Sequence, residues 1–338
     1  MFNSVRPMTI KKIAEQAGVS VSTVSRVLNN PESVRTDKRQ RVELAIKATN
    51  YIPSPIAKAL GMQKSKTIGI LVPNIINDCS AKIVSAIMEE LDMHDFDTLL
   101  FNTIETLEKE EHITKLVREK MVDGIIMISS LGTKEEIAEL ANVMPVVLID
   151  RQQIVPNLDA FLVDGALGML KLVGYLKDLG HAKFGLLAGD LQTDSCKLRV
   201  QYFKAALFKE GLELDPLAIA YSSWEMRGGY QAMARLLEKK LELTAIIASS
   251  DVLAIGGARA AYIYGRKIPE DLSLVGFDNF STGEFMVPAL TTLKYPAAIL
   301  GKLAAKSILQ RLNDRNKPGI EKMLPMELLI RESAGTIK

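Results

Sequence analysis

The chain has 338 residues, 48% of them hydrophobic and 24% charged, the balance of a folded protein with a sizeable core and, at roughly 100–200 residues per domain, two or three globular units. A lone small module, a disordered chain and a collagen-like chain are thereby excluded. The most tempting apolar stretch, 245–263, is broken by Asp251 and Arg259, so no membrane span of roughly 18–20 residues is expected. The opening MFNSVRPMT has no apolar segment behind it, unlike a secretory signal, and a cytoplasmic location is expected.

Cys79 and Cys196 lie far apart, and His94, His112 and His181 share no ligand spacing. Neither a disulfide framework nor a metal site is expected, and nothing points to another cofactor. Charge is unevenly spread. Residues 1–64 carry 11 Lys and Arg against 4 Asp and Glu, whereas the other 274 carry 31 against 36. A basic head on a mildly acidic body is the asymmetry of a nucleic-acid-binding module joined to something with another task.

In TIKKIAEQAGVSVSTVSRVLN (9–29), Ile10, Ile13, Ala14 and Ala17 recur at helical spacing, Gly18 breaks the helix, and Val19, Val24 and Val27 resume the apolar face. Ala14 is small where a second helix must approach, Gly18 suits a sharp turn at positive φ, and Ser20 can cap the second helix. This spacing predicts a helix-turn-helix. Its second helix presents Val21, Ser22, Ser25, Arg26 and Asn29 opposite Val24 and Val27, as entry into a major groove requires. Arg26 is the best base reader, because a guanidinium can donate twice to guanine, while Thr9, Ser20, Thr23 and Ser25 offer hydroxyls for phosphates. A third helix is expected from a cap at Thr36 through Ala48, closed by the extended Tyr51-Ile-Pro.

These residues, followed by YIPSPIAKAL, resemble the N-terminus of the lactose-repressor (LacI) family of bacterial transcription regulators. The resemblance implies that Ser54–Met62 is a hinge helix formed on operator DNA, with Leu60 wedged into the minor groove and Ala57 on the same face one turn earlier. An apolar wedge of this kind unstacks a base step and bends the duplex. It also implies DNA contact at Tyr51. Pro55, Gly61 and a length of about eight residues argue against a stable isolated helix, and the segment is expected to order only on DNA; a plain tether is the other reading.

Beyond Lys66, short apolar runs alternate with amphipathic stretches. TIGILVP, TLLFNT, GIIMIS and PVVLID are followed by KFGLLAG, LAIAYS, AIIASS and SLVGFDN. Thr133 and Glu136 form a capping box at one of the intervening helices. Strands without alternation, set between helices, predict two parallel-sheet α/β lobes. The family motifs continue through PVVLIDR, SSDVLAIGGARAAYIYGRKIPEDLSLVGFDN and PALTTLKYPAAILGKLAAKSILQRL. The resemblance thus covers nearly the whole chain and implies a body like a periplasmic sugar-binding protein, crossed near Asp164, Leu293 and Leu324.

The expected architecture is an all-α helix-turn-helix head, 1–52, a hinge helix and linker, 53–66, and a two-lobed α/β periplasmic-binding-protein-like body, 67–338. The N-lobe is placed at about 67–164 and 294–323, the C-lobe at about 165–292 and 324–338. Ligands of open α/β sheets sit beyond the strands' carboxyl ends, where Asn74, Asp150 and Asp251 lie. By resemblance Arg199 and Asp251 match the family's effector-contacting arginine and aspartate, and Trp224 its stacking aromatic. Cys79 and Ser80 stand where many members have aromatics, which makes one wall smaller or more polar. Tyr202 stands for a usual Gly and could fill space near Arg199, and Arg151 could add positive charge for a phosphorylated or acidic sugar.

A dimeric, effector-controlled repressor of carbohydrate-utilisation genes on double-stranded operator DNA is therefore the leading expectation, with a sugar or sugar derivative as effector. A small-molecule carrier of the same fold without DNA control is the alternative. An enzyme is not expected and no catalytic residue is assigned, since the dinucleotide loop, the P-loop and the G-x-S-x-G elbow are missing.

Overall fold

The computed structural model describes residues 8–49, 51, 65–151 and 155–337. The basic head folds as α1 (Ile10–Ala17), α2 (Val21–Asn29) and α3 (Thr36–Thr49). Gly18 takes φ 62° between the first two, and its N–H donates back to Ala14 and Glu15 carbonyls. A side chain in that left-handed conformation would be strained, which is why glycine stands at the turn. Ser20 accepts the Thr23 N–H at 3.2 Å and caps α2. Ile13, Ala14, Ala17, Val24, Val27, Val42 and Ala45 form the buried core of the head. Their spacing is the helical period read from the sequence.

The body holds two six-stranded sheets. The first is built from β1 (Thr67–Val72), β2 (Asp97–Asn102), β3 (Gly124–Ile128), β4 (Val146–Ile149), β5 (Asp159–Asp164) and β11 (Glu321–Pro325), in the order β11-β5-β4-β3-β1-β2. The second comprises β6 (Phe184–Ala188), β7 (Ile219–Tyr221), β8 (Ala245–Ala248), β9 (Ser273–Asp278), β10 (Thr291–Lys294) and β12 (Glu327–Leu329), in the order β12-β10-β9-β8-β6-β7. Among the described residues the strands pair in parallel except β10 with β12. Central strands such as β3, β4 and β8 are buried along their whole length, which explains their unbroken apolar composition.

Crossover helices cover these sheets: α4 (Asp78–Asp92), α5 (Leu107–Leu116), α6 (Lys134–Val143), α7 (Gly165–Asp178), α8 (Asp194–Lys209), α9 (Met226–Glu238), α10 (Asp251–Ile263) and α11 (Ala297–Asn313). The chain passes from the first sheet to the second between β5 and α7. It returns through Tyr295 into α11, which packs on α4 and on β3 and β4, and passes over once more between Pro325 and Glu327. The returning helix is anchored by a buried pair: Arg311 donates from Nε at 2.7 Å and Nη2 at 2.8 Å to Asp159, which also accepts from Ser307 and from the Ile320 N–H. Such a fully bonded pair fixes register, and removing one partner would leave a buried charge at a cost of about 3–5 kcal/mol.

Candidate functional site

In the head, the exposed face of α2 carries Val21, Ser22 and Arg26, with Val21 40% exposed. Arg26 folds along its own helix, Nε donating to the Ser22 carbonyl at 3.4 Å. Asn29 donates from Nδ2 to Ser25 Oγ at 3.4 Å. Thr9 is exposed and accepts the Lys12 N–H at α1. Tyr51 packs against the edge of the head core. Thr23 is largely buried, with its hydroxyl bonded to Ser20 Oγ at 2.9 Å beside the cap of α2. Ala57 and Leu60 lie outside the described residues.

In the body, the carboxyl ends of the two sheets converge on one cluster. Asp150 follows β4 at φ 51° and Asp278 ends β9 at φ 114°, a conformation unusual for non-glycine residues that is commonly held at functional sites. Arg199, in the first half of α8, forks onto Asp278, with Nη2 to Oδ1 at 2.8 Å and Nη1 to Oδ2 at 3.1 Å, and Nη1 also donates to the Ser249 carbonyl. Its guanidinium carbon lies 4.3 Å from the Phe277 ring centre and 5.7 Å from that of Trp224. Trp224 donates from Nε1 to Thr193 at 3.2 Å and packs so closely on Gly189 that a Cβ there would sit 2.1 Å from the indole. Glycine at the end of β6 is what lets the indole stand against the site.

From the first sheet's side, Asp150 accepts from Tyr295 Oη at 2.9 Å and Cys79 Sγ lies 3.8 Å from the Asp278 carbonyl. Lys82 pairs with Asp78 at 2.6 Å and reaches the Asn279 carbonyl at 3.1 Å. Burial pushes the Asp150 carboxyl up, against the hydrogen bond from Tyr295. Burial likewise raises Asp278, outweighing the pull of Arg199. Cys79 rises well above the ordinary thiol range because it is buried beside Asp278, which makes it a small polar wall rather than a reactive thiolate.

Asp251 requires a correction. It is fully buried, and its carboxylate accepts from Thr292 Oγ1 at 2.6 Å and from the Phe280 N–H at 2.7 Å. The aspartate on Arg199 is Asp278, which the sequence reading passed over although it also ends a strand. Arg151 is buried and donates to the Ser130 carbonyl at 2.7 Å, near Glu110. Asn74 accepts the Ile76 N–H at 3.1 Å and shapes the turn after β1. Ser80 is buried in the first turn of α4, its N–H on Asn77. Tyr202 lies over Gly165, where a Cβ would come within 2.7 Å of its ring. Among the described residues no group of three or more His, Cys, Asp and Glu could hold a metal ion.

Residues 9–54 match the model of bacterial regulatory proteins of the lacI family, and residues 65–331 that of periplasmic binding proteins and the sugar-binding domain of the LacI family. The chain belongs to the LacI family of bacterial regulatory proteins. It is 31% identical to the ribose operon repressor of Haemophilus influenzae over 330 residues, 98% of this chain and 99% of that one. It is also 31% identical to the transcriptional repressor CytR of Escherichia coli K12, over 96% of each. A lac repressor dimer solved with operator and the anti-inducer ONPF superposes with a TM-score of 0.85 at 27% identity, over 98% of this chain and all of that one. A LacI-family regulator from Enterococcus faecium with bound ribose gives 0.72 at 30% identity, over 80% of this chain and all of that one. This LacI-family protein is thus a DNA-binding transcription regulator and not an enzyme, and the match of its head to the regulator model disfavours the carrier reading. No described helix is long and apolar enough to cross a membrane.

Proposed function

We propose that this chain is a dimeric cytoplasmic repressor of carbohydrate-utilisation genes whose operator affinity is set by a sugar or sugar derivative bound between the two sheets of the body. Residues 1–52 form its DNA-binding unit, 53–66 its hinge and linker, and 67–338 its effector-binding and dimerising body. Two heads related by a twofold axis read a pseudo-palindromic operator through Ser22, Ser25, Arg26 and Asn29, with Thr9 and Ser20 on phosphates. Asp150, Arg199, Asp278 and Trp224 hold the effector. The observation that carries this reading is the Arg199–Asp278 fork flanked by Phe277 and Trp224 and faced by Asp150. Polar edges bond ring hydroxyls and an aromatic plate takes the apolar face of the ring.

Control requires that the effector bind two body conformations unequally, a coupling typically of 1–3 kcal/mol. The test is operator selection from random duplexes with the full-length protein, followed by affinity measurements on the winner across a panel of sugars and nucleosides. A palindromic winner whose affinity moves with one compound supports the reading. Absence of any enriched sequence contradicts it.

A further inference from the structure

Tyr202 lies in α8, one turn beyond Arg199, and packs on the place where the chain first passes between the sheets. That passage has no slack: β5 ends at Asp164 and α7 begins at Gly165, with Asp164 Oδ1 accepting the Leu167 N–H at 2.9 Å. A Cβ on Gly165 would stand 2.7 Å from Cε2 and 3.2 Å from Cδ2 of Tyr202, and 3.6 Å from Cζ of Phe277. Backbone and two rings therefore meet in a space that only glycine leaves open. Phe277 in turn carries the Arg199 guanidinium, whose carbon lies 4.3 Å from its ring centre. Residues at the other two passages bear on the same turn of α7, since a Cβ on Gly168 would stand 3.1 Å from Met326 Cβ and 3.4 Å from Leu293 Cδ1.

We infer that Tyr202 is a positioning residue that joins the Arg199–Asp278 fork to the first passage between the two sheets. The inference rests on the effector site proposed above and adds how its occupancy reaches the first sheet. A ligand that draws on Arg199 moves the guanidinium over Phe277. Close-packed rings yield to such a push by stepping between discrete arrangements rather than by compressing. Tyr202 and Phe277 face the Gly165 backbone with no side chain between, so the step is passed to the Asp164–Gly165 peptide, where the direction of β5 relative to α7 is set. In this role Tyr202 acts through Gly165 and Phe277 and not on the ligand.

Trp224 is the one tryptophan of the chain and stands 5.7 Å from the Arg199 guanidinium carbon, so its emission reports displacement of the fork without any ligand. The test compares the full-length wild type with Gly165→Ala, Tyr202→Ala, Tyr202→Phe and the double variant Gly165→Ala with Tyr202→Ala. Gly165→Ala drives a methyl into the Tyr202 ring and should shift the emission; taking the ring away in the double variant should restore it. The second readout is the ratio of operator affinities with and without D-ribose, D-glucose, D-fructose or adenosine, on the duplex selected from random sequence. That ratio should fall about five-fold in Tyr202→Ala and keep its wild-type value in Tyr202→Phe, with thermal unfolding of each variant separating the effect from lost stability. Emission that Gly165→Ala leaves unmoved, or that stays shifted in the double variant, overturns the tie. A wild-type ratio in Tyr202→Ala overturns it as well, whatever the unfolding temperature, and decides the matter alone if Gly165→Ala does not fold. A wild type that responds to none of the four compounds counts against the effector reading, and the emission of the variants then decides the tie.

Discussion

The head and the body solve opposite problems. In the head, three short helices close on a core whose largest side chain is one isoleucine, Ile13, and the groups that meet DNA stand outside it. In the body, the working groups are themselves part of the interior: the side chains of Arg199 and Asp278 are only 16% and 4% exposed, and Tyr295 belongs to the main core. A surface site can be altered without touching stability, whereas a site built into a core cannot.

The largest expected effect lies in the body. Arg199→Ala leaves Asp278 buried without its fork, which should cost about 3–5 kcal/mol. Differential scanning calorimetry of the full chain should show the body transition falling while the head transition stays. Equal stability of variant and wild type would mean that the pair is not structural.

Next comes Asp251, which burial pushes up to about 7 against the hydrogen bond from Thr292. Folded Asp251 keeps its proton up to about that pH, whereas in the unfolded chain it releases it near 3.9. Its contribution is therefore present at pH 4 and is lost as pH rises toward 7, by roughly 4 kcal/mol at most. Asp251→Asn should flatten this part of the stability profile, measured by urea titration between pH 4 and 8, and an unaltered slope would place the titration elsewhere.

In the head, Ile13→Ala should cost about 2–4 kcal/mol, shifting the head transition alone. Arg26→Ala should move neither transition, since surface changes stay within about 0.5 kcal/mol, but should lose about 1–3 kcal/mol of discrimination at the selected operator. If it unfolded the head, the division between an exposed working face and an inert core would be wrong.

The same division explains what could be read in advance. The helix-turn-helix was legible because its signals are local: the Gly18 turn, the Ser20 cap and the apolar spacing lie within one 21-residue stretch. The capping box was local too, with Thr133 accepting the Glu136 N–H at 3.2 Å and Glu136 accepting in return at 2.7 Å. Asp150 and Arg199 followed from strand ends and resemblance. Which of two later aspartates would meet Arg199 depended on packing between strands distant in sequence. Gly276 leaves the space that Asp251 fills, since a Cβ there would lie 2.0 Å from Oδ1, and Thr292, 41 residues away, supplies the inward partner. Thr23 is a related case: its burial against Ser20 depends on how the first two helices pack, which a hydroxyl on an amphipathic helix does not reveal in sequence. The short strands β10 and β12 add one more case, because a three-residue edge strand such as Glu327–Leu329 has too few residues to show a period.

In the proposed reading the buried Arg199–Asp278 fork holds the effector that sets operator affinity. Its most direct test is operator affinity of the wild type and of Asp278→Asn, each with and without the compound that moves the wild type. Equal affinities without ligand and a shift in the wild type only are expected. A variant that shifts as far as the wild type would contradict it.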